Sequence, residues 1–256
     1  MKFVVIRKKY IPLIIFLIIA IVLLSINFGG VSASSVYFGN SLRKVPIYCV
    51  ETENKQVAIS FDAAWGADKT EGIMQILKEY NCNATFFLVG FWVDKYSDIV
   101  KKIDENGFEI GTHSNTHPDM TKLSSENMKL ELTNCINMIE NITNKKVKLF
   151  RAPFGAYNDK LLDVASELNL KTIQWDVDSL DWKGISAKNI TSRIVNKVKN
   201  GSIILCHNNS DNILDALPLT LDWLIKKGYK VTSIGDLIYQ DNYTIDRNGV
   251  QHQSQN

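Results

Sequence analysis

The sequence predicts an α/β protein, a distorted (β/α)7 barrel that follows a single N-terminal transmembrane or signal helix. From residue 46 onward, short apolar runs alternate with amphipathic stretches, and successive runs begin 23 to 40 residues apart. That rhythm is typical of repeated β-α units around a mostly parallel sheet. The first 35 residues instead contain one unbroken apolar run, which suits a membrane better than a folded core.

The apolar runs predict seven strands, and the segments between them have the 3.6-residue period of helices. The predicted strands are 57–61, 85–89, 108–111, 148–151, 172–175, 202–206 and 230–232. The predicted helices are 70–80, 94–105, 125–141, 159–168, 187–199 and 213–227. Gly107, Gly201 and Gly228 each follow a helix and precede a strand, where a left-handed residue is favoured.

Composition indicates a globular protein and excludes several classes. The 256 residues are 45% apolar and 22% charged, unlike a disordered or collagen-like chain. The net charge of +2 conceals an asymmetry, because Lys2, Arg7, Lys8 and Lys9 are the only charged residues of the first 36. The remainder carries 25 basic and 27 acidic side chains. Without a basic surplus on the body, we expect no nucleic-acid partner.

The N-terminal segment predicts a location outside the cytoplasm. Residues 11–26 carry no charge and extend about 24 Å as a helix, and residues 27–30 lengthen the run toward a bilayer span. The basic flank would stay in the cytoplasm. Val31-Ser32-Ala33 also resembles a signal-peptidase site. Both alternatives therefore stand: a membrane protein with an extracytoplasmic domain, which we favour slightly, or a protein secreted after cleavage near Ala33.

We divide the chain into four regions: an anchor or signal segment (1–35), a linker with a first strand (36–55), the main domain (56–240) and a polar, frayed tail (241–256). The four cysteines, at 49, 82, 135 and 206, match no zinc or redox spacing. We expect the four cysteines to be buried free thiols. We also expect the protein to be a monomer.

Polar residues follow the predicted strands, where parallel β/α folds collect their chemistry. Asp62 ends the first strand, although a lone Asp there is more often a turn former. His113 and His117 follow the third strand, and on one helical turn this spacing would put both imidazoles on one face, as in many metal sites. Two surface histidines are the alternative, which is weakened because the body holds only one other, His207.

Three later strands also end in polar residues. Arg151 begins RAPFG, whose tight turn presents backbone N–H groups, although the motif alone is weak. Asp181 and Trp182 lie in an acidic loop, and a loop Trp often lines a sugar-binding groove. His207 ends the sixth strand, where a general acid and a buried structural His are equally plausible. Together, five such positions on one rim indicate a functional site more strongly than any single position does.

In this order, SFDAAWG, HSNTH, RAPFG, DSLDW and LCH resemble the five motifs of the polysaccharide deacetylases of carbohydrate esterase family 4, which share the NodB homology domain. The likeness covers about residues 57–236. The membrane segment and the FDAAWG variant resemble the sporulation-associated, membrane-anchored branch of that family.

The resemblance implies roles for the rim residues. Asp62 would be the general base acting on metal-bound water, with Arg151 holding it ionised. His207 would protonate the departing amine, and Asp181 would raise the pKa of His207. The backbone N–H of Phe154 would donate a hydrogen bond to the oxyanion. The side chains of Trp182 and Trp65 would contact the substrate.

The resemblance also implies a divalent metal such as zinc or cobalt, bound by His113 and His117. The family usually supplies a second Asp as third ligand, and here that position is Ala63. Two imidazoles without a carboxylate make a weaker site, so we expect a metal that is weakly held or absent. Asp68 is an alternative carboxylate nearby.

The implied function is a hydrolase that removes N-acetyl groups from a cell-wall polymer of GlcNAc or MurNAc units, such as peptidoglycan, in sporulation. Ala63 motivates the alternative, a catalytically impaired glycan-binding or sporulation-structural protein of the same fold. A phosphoesterase is a weaker third interpretation, because the sequence lacks the acidic two-metal clusters of that class.

Overall fold

The computed structural model describes residues 43–254 and residue 15 of the chain. The predicted anchor or signal segment, 1–35, therefore lies almost wholly outside the described residues. Within the part that is described, no helix is both long enough and apolar enough to cross a membrane.

The body alternates strands and helices as the sequence predicts. The strands are β1 (Cys49–Val50), β2 (Gln56–Ala63), β3 (Thr85–Leu88), β4 (Glu109–Thr112), β5 (Leu149–Phe150), β6 (Lys171–Thr172), β7 (Val177–Asp178), β8 (Ile203–His207), β9 (Lys230–Thr232), β10 (Tyr243–Ile245) and β11 (Val250–Gln253). The helices are α1 (Thr70–Glu79), α2 (Gly90–Lys95), α3 (Ser97–Glu105), α4 (Ser125–Thr143), α5 (Asp159–Glu167), α6 (Ala187–Val195), α7 (Ile213–Lys226) and α8 (Ile234–Leu237).

The main sheet is a curled, parallel half-barrel of seven strands in the order β6-β5-β4-β3-β2-β8-β7, with β9 paired to the start of β2. No ladder joins β6 to β7 within residues 43–254. The chain itself connects these two edge strands, through residues 173–176. This arrangement agrees with a distorted (β/α)7 barrel, and it brings the carboxyl ends of all the strands to one rim.

Apolar burial explains why β2 is central. Its residues from Val57 to Ala63 are buried on both faces, the pattern expected when both faces of a parallel sheet are covered. Two of the outer helices, α4 and α5, begin at polar caps. Ser124 accepts a hydrogen bond from the Asn127 N–H at the start of α4, and Asn158 accepts one from Leu161 at the start of α5.

Three local expectations differ from the structure. The helix predicted at 94–105 is two helices, α2 and α3, because Tyr96 adopts a non-helical φ of −125° and ψ of 39°. The short strand β7 was not predicted. The tail expected to be frayed contributes β10 and β11, which pair with each other and with β1 in a second, three-stranded sheet. The four cysteines are free thiols as predicted, and only Cys82 is partly exposed.

Gly201 is required where β1 passes the start of β8. Its φ is +77°, and a Cβ there would lie 1.8 Å from the Val50 carbonyl oxygen. Gly107 has a similar φ of +79°, but a Cβ there would meet nothing within 4 Å.

We therefore expect Gly107→Ala to lower the free energy of unfolding by about 1–2 kcal/mol, the cost of a left-handed alanine. Gly201→Ala should lower it by roughly a further 1–3 kcal/mol, because the backbone must move to admit the methyl group. Urea unfolding followed by circular dichroism measures both variants. Equal losses of unfolding free energy in the two variants would show that the close approach of the Val50 carbonyl does not restrict the side chain at position 201.

Candidate active site

A cleft of about 630 Å³ opens at the carboxyl rim of the main sheet. Eight of the nine site residues predicted from the sequence line it: Asp62, Trp65, His113, His117, Phe154, Asp181, Trp182 and His207. The ninth, Arg151, is completely buried and contacts Asp62 from behind the cleft wall. Asp68 is exposed and does not line the cleft.

Asp62 is a buried carboxylate held by Arg151. The Arg151 Nη1 group donates to Asp62 Oδ1 at 2.8 Å and to Ser60 Oγ at 2.9 Å. Burial by itself would raise the pKa of Asp62, but the charge and hydrogen bond of Arg151, together with the nearby His113 and His207, outweigh burial, and the pKa of Asp62 lies below its usual range. Asp62 is therefore an ionised carboxylate at neutral pH and can accept a proton.

His207 has the opposite electrostatic setting. Its Nδ1 lies 2.7 Å from Asp181 Oδ1, and its backbone N–H donates to Asp181 Oδ2 at 2.8 Å. Burial lowers the pKa of His207, yet the hydrogen bond and charge of Asp181 outweigh burial and raise the pKa above its usual value. His207 and Asp62 are direct partners in the β2–β8 ladder. An imidazole whose protonated form is favoured thus stands beside a carboxylate that can accept a proton.

His113 and His117 meet as predicted, but not on a helical turn. Residues 113–117 form a loop in which Ser114 and His117 have positive φ angles of 69° and 58°. The two ring centroids lie 5.0 Å apart. His113 Nδ1 donates to the Arg151 carbonyl oxygen at 2.7 Å, which leaves Nε2 facing Asp62 Oδ2 at 3.6 Å. Burial lowers the pKa of both imidazoles, that of His117 to about 4, so both are neutral.

These residues do not fit the three-ligand metal site that the resemblance implies. Two neutral imidazoles are present, but the third position is the methyl group of Ala63, which is buried and carries no donor atom. Among residues 43–254, no three His, Cys, Asp or Glu side chains are grouped so as to hold a metal ion.

The cleft walls are aromatic. Trp182 and Trp65 are 58% and 66% exposed, and Phe154 is 70% exposed. Phe154 has a left-handed φ of 60°, a conformation that costs a residue with a Cβ roughly 1–2 kcal/mol. The hydrogen bonds found in this turn use the N–H groups of Gly155 and Ala156 and not that of Phe154. The Phe154 N–H is thus left for another acceptor.

Sequence reasoning missed several supporting residues. Glu131 on α4 accepts from the backbone N–H groups of Asn115 and Thr116, at 2.9 and 2.8 Å, and so fixes the histidine loop. Gln174 accepts from Arg151 through its carbonyl oxygen and donates through its side chain to the Gly155 carbonyl. Neither residue lies in a recognisable motif. The only indication in the sequence was the acidic side chain of Glu131 on the surface of α4.

Removing the charge of Asp181 tests the electrostatic setting of His207. We expect Asp181→Asn to lower the pKa of His207, measured by NMR titration of the histidine ring. His252 is an internal control, because its pKa is raised by Glu51 and then by Asp246, outside the cleft.

The same pair affects stability. A raised His pKa stabilises the fold fully below the unfolded value of about 6.5, and this contribution is lost as pH rises through the folded pKa. The difference in unfolding free energy between wild type and Asp181→Asn should therefore become smaller as the pH rises through the folded-state pKa of His207. A constant difference would contradict this account of the pair.

Comparison with known proteins indicates the family of this chain. A family model for polysaccharide deacetylases matches residues 50–173. A peptidoglycan-N-acetylglucosamine deacetylase of Bacillus cereus is 32% identical over 183 residues, which are 70% of this chain and 66% of that relative, slightly less than two thirds of its length.

Two solved structures are also similar. One is a wild-type pseudoenzyme of carbohydrate esterase family 4 from Bacillus anthracis. It is 33% identical with a TM-score of 0.74, and the match covers 83% of this chain and 73% of that one. The other is a mutant of that pseudoenzyme with restored enzymatic activity, 37% identical with a TM-score of 0.73 over 75% of this chain and 71% of that one. From its five rim motifs, its half-barrel and these matches, the chain belongs to the polysaccharide deacetylase family, carbohydrate esterase family 4.

Proposed function

We propose that this protein removes N-acetyl groups from a cell-wall polysaccharide of the peptidoglycan type. The observation that carries the proposal is the neighbouring pair Asp62 and His207, a carboxylate paired with Arg151 and an imidazole whose pKa is raised by Asp181. Hydrolysis of an acetamide needs both forms at once, because the attacking water must lose a proton and the departing nitrogen must gain one.

The residues divide the reaction between them. Asp62 takes a proton from water, and the water oxygen forms a bond to the acetamide carbonyl carbon. The Phe154 N–H is available to stabilise the oxyanion that develops. His207 then gives its proton to nitrogen as the C–N bond breaks, so the products are acetate and the free amine of the sugar.

The test is acetate release from N-acetylated oligosaccharides and from cell-wall polymer, with and without added Zn²⁺ or Co²⁺. Asp62→Asn and His207→Gln should each reduce kcat by about 10²–10⁴-fold, because each removes one proton-transfer group. Asp68→Asn is the matched control, since Asp68 lies outside the cleft, and it should leave the rate unchanged. No release from any substrate with any metal would contradict the proposal.

Ala63 supports a second candidate, a glycan-binding protein of this fold with impaired catalysis, and the similar Bacillus anthracis structure is of a pseudoenzyme. The variant Ala63→Asp distinguishes the two candidates. If the missing carboxylate limits turnover, the variant should bind more Zn²⁺ by elemental analysis and release more acetate than wild type. A wild type that binds cell wall without releasing acetate, and whose binding is unaffected by Asp62→Asn, would favour the second candidate.

We also propose that the protein works outside the cytoplasm, through residues 1–35, and during sporulation. The charge asymmetry and apolar run of that segment support export, and the FDAAWG variant supports the sporulation branch. Fractionation of sporulating and vegetative cells, with sequencing of the mature N-terminus, tests both points. A start at Ser34 would indicate cleavage after Ala33, an intact N-terminus in the membrane fraction would indicate an anchor, and a cytoplasmic protein would overturn the proposal.

A further inference from the structure

The most exposed Phe and Trp side chains among the described residues surround the cleft. Besides Trp65, Phe154 and Trp182, Phe91 is 40% exposed and lies in the first turn of α2, outside the cleft lining. Exposed apolar side chains that occur singly are ordinary, but a contiguous group of them marks a binding surface.

Three of these aromatic rings and one imidazole form a continuous strip. The Phe91 and Trp65 centroids are 6.5 Å apart, those of Trp65 and His117 are 5.1 Å apart, and those of His117 and Phe154 are 4.7 Å apart. We call these four residues the aromatic strip. It leads from the cleft, which Phe154, His117 and Trp65 line, to Phe91 beyond its edge.

Backbone hydrogen bonds hold the loops that carry the strip. The N–H of Phe91 donates to the Asn115 carbonyl at 3.2 Å, which joins α2 to the histidine loop. The Gly66 carbonyl accepts from Trp92 Nε1 at 2.6 Å and from Asn208 Nδ2 at 3.0 Å, which fixes the residue after Trp65. These bonds hold the backbone that carries Trp65 and Phe91 in place, so little backbone conformational entropy is lost on binding.

We propose that Trp65 and Phe91 form an additional sugar subsite, which binds a pyranose unit next to the unit in the cleft and makes the protein prefer a polymer over a short oligosaccharide. This inference rests on the proposed function, because the cleft supplies the neighbouring sugar. Continuity with the cleft identifies the occupant, since a ligand lying on the strip is connected to the one in the cleft. Trp65 and Phe91 carry no ionisable group, which suits the C–H face of a neutral sugar.

The experiment compares binding of N-acetylglucosamine dimers and pentamers to the full-length protein by calorimetry, in EDTA and in Zn²⁺. Wild type should bind the pentamer at least tenfold more tightly than the dimer. Trp65→Ala and Phe91→Ala should each weaken pentamer binding about fivefold to tenfold and change dimer binding less than twofold. Phe91→Trp should retain the preference for the pentamer.

Leu130→Ala is the matched control, because Leu130 is 55% exposed on α4 and does not line the cleft, so pentamer binding should not change. Equal affinity of wild type for both lengths, equal losses for both lengths in the Trp65 variant, or no binding of either oligosaccharide would overturn the subsite. Binding and acetate release are measured in separate assays. If the protein prefers the pentamer in a way that depends on Trp65, but releases no acetate, only the catalytic proposal is refuted. Acetate release that is insensitive to length and to Trp65 would refute only the subsite.

Discussion

The buried ion pair between Arg151 and Asp62 is the interaction on which the rest of the site depends. Arg151 is fully buried, with its guanidinium 4.2 Å from the centre of the Phe87 ring, and its Nη1 donates to both Asp62 and Ser60. A buried charge of this kind is costly without its partner. The same residue orients His113 through its carbonyl oxygen. The side chain of Arg151 thus favours the ionised form of Asp62, and its backbone carbonyl sets the tautomer of His113.

The β2–β8 ladder places the two proposed proton-transfer groups beside each other. Asp62 and His207 are ladder partners, so their separation is set by the sheet and not by a mobile loop. Each has its own buried partner, Arg151 or Asp181, and the two partners push the pKa values in opposite directions. This separation of acid from base is the property that amide hydrolysis requires at neutral pH.

Ala63 alters the site without disturbing the fold. Its methyl group is buried beside Asp62, in a central strand that still pairs on both sides. A strand position of this kind accepts a small apolar residue, whereas a carboxylate there would need a cation or a donor to offset its burial. The architecture therefore accommodates alanine at this position, and Asp62 and His207 keep their contacts.

The sequence by itself determined the alternation of strands and helices and eight of the residues that line the cleft, because hydrophobic period and strand ends are local properties of the chain. Only the tertiary structure decided how the histidines meet, since their loop depends on positive φ angles and on Glu131 from α4. It also decided that the tail pairs with β1 and that Phe91 joins Trp65. These contacts join residues far apart in the chain, and no local pattern encodes which distant partner a side chain meets.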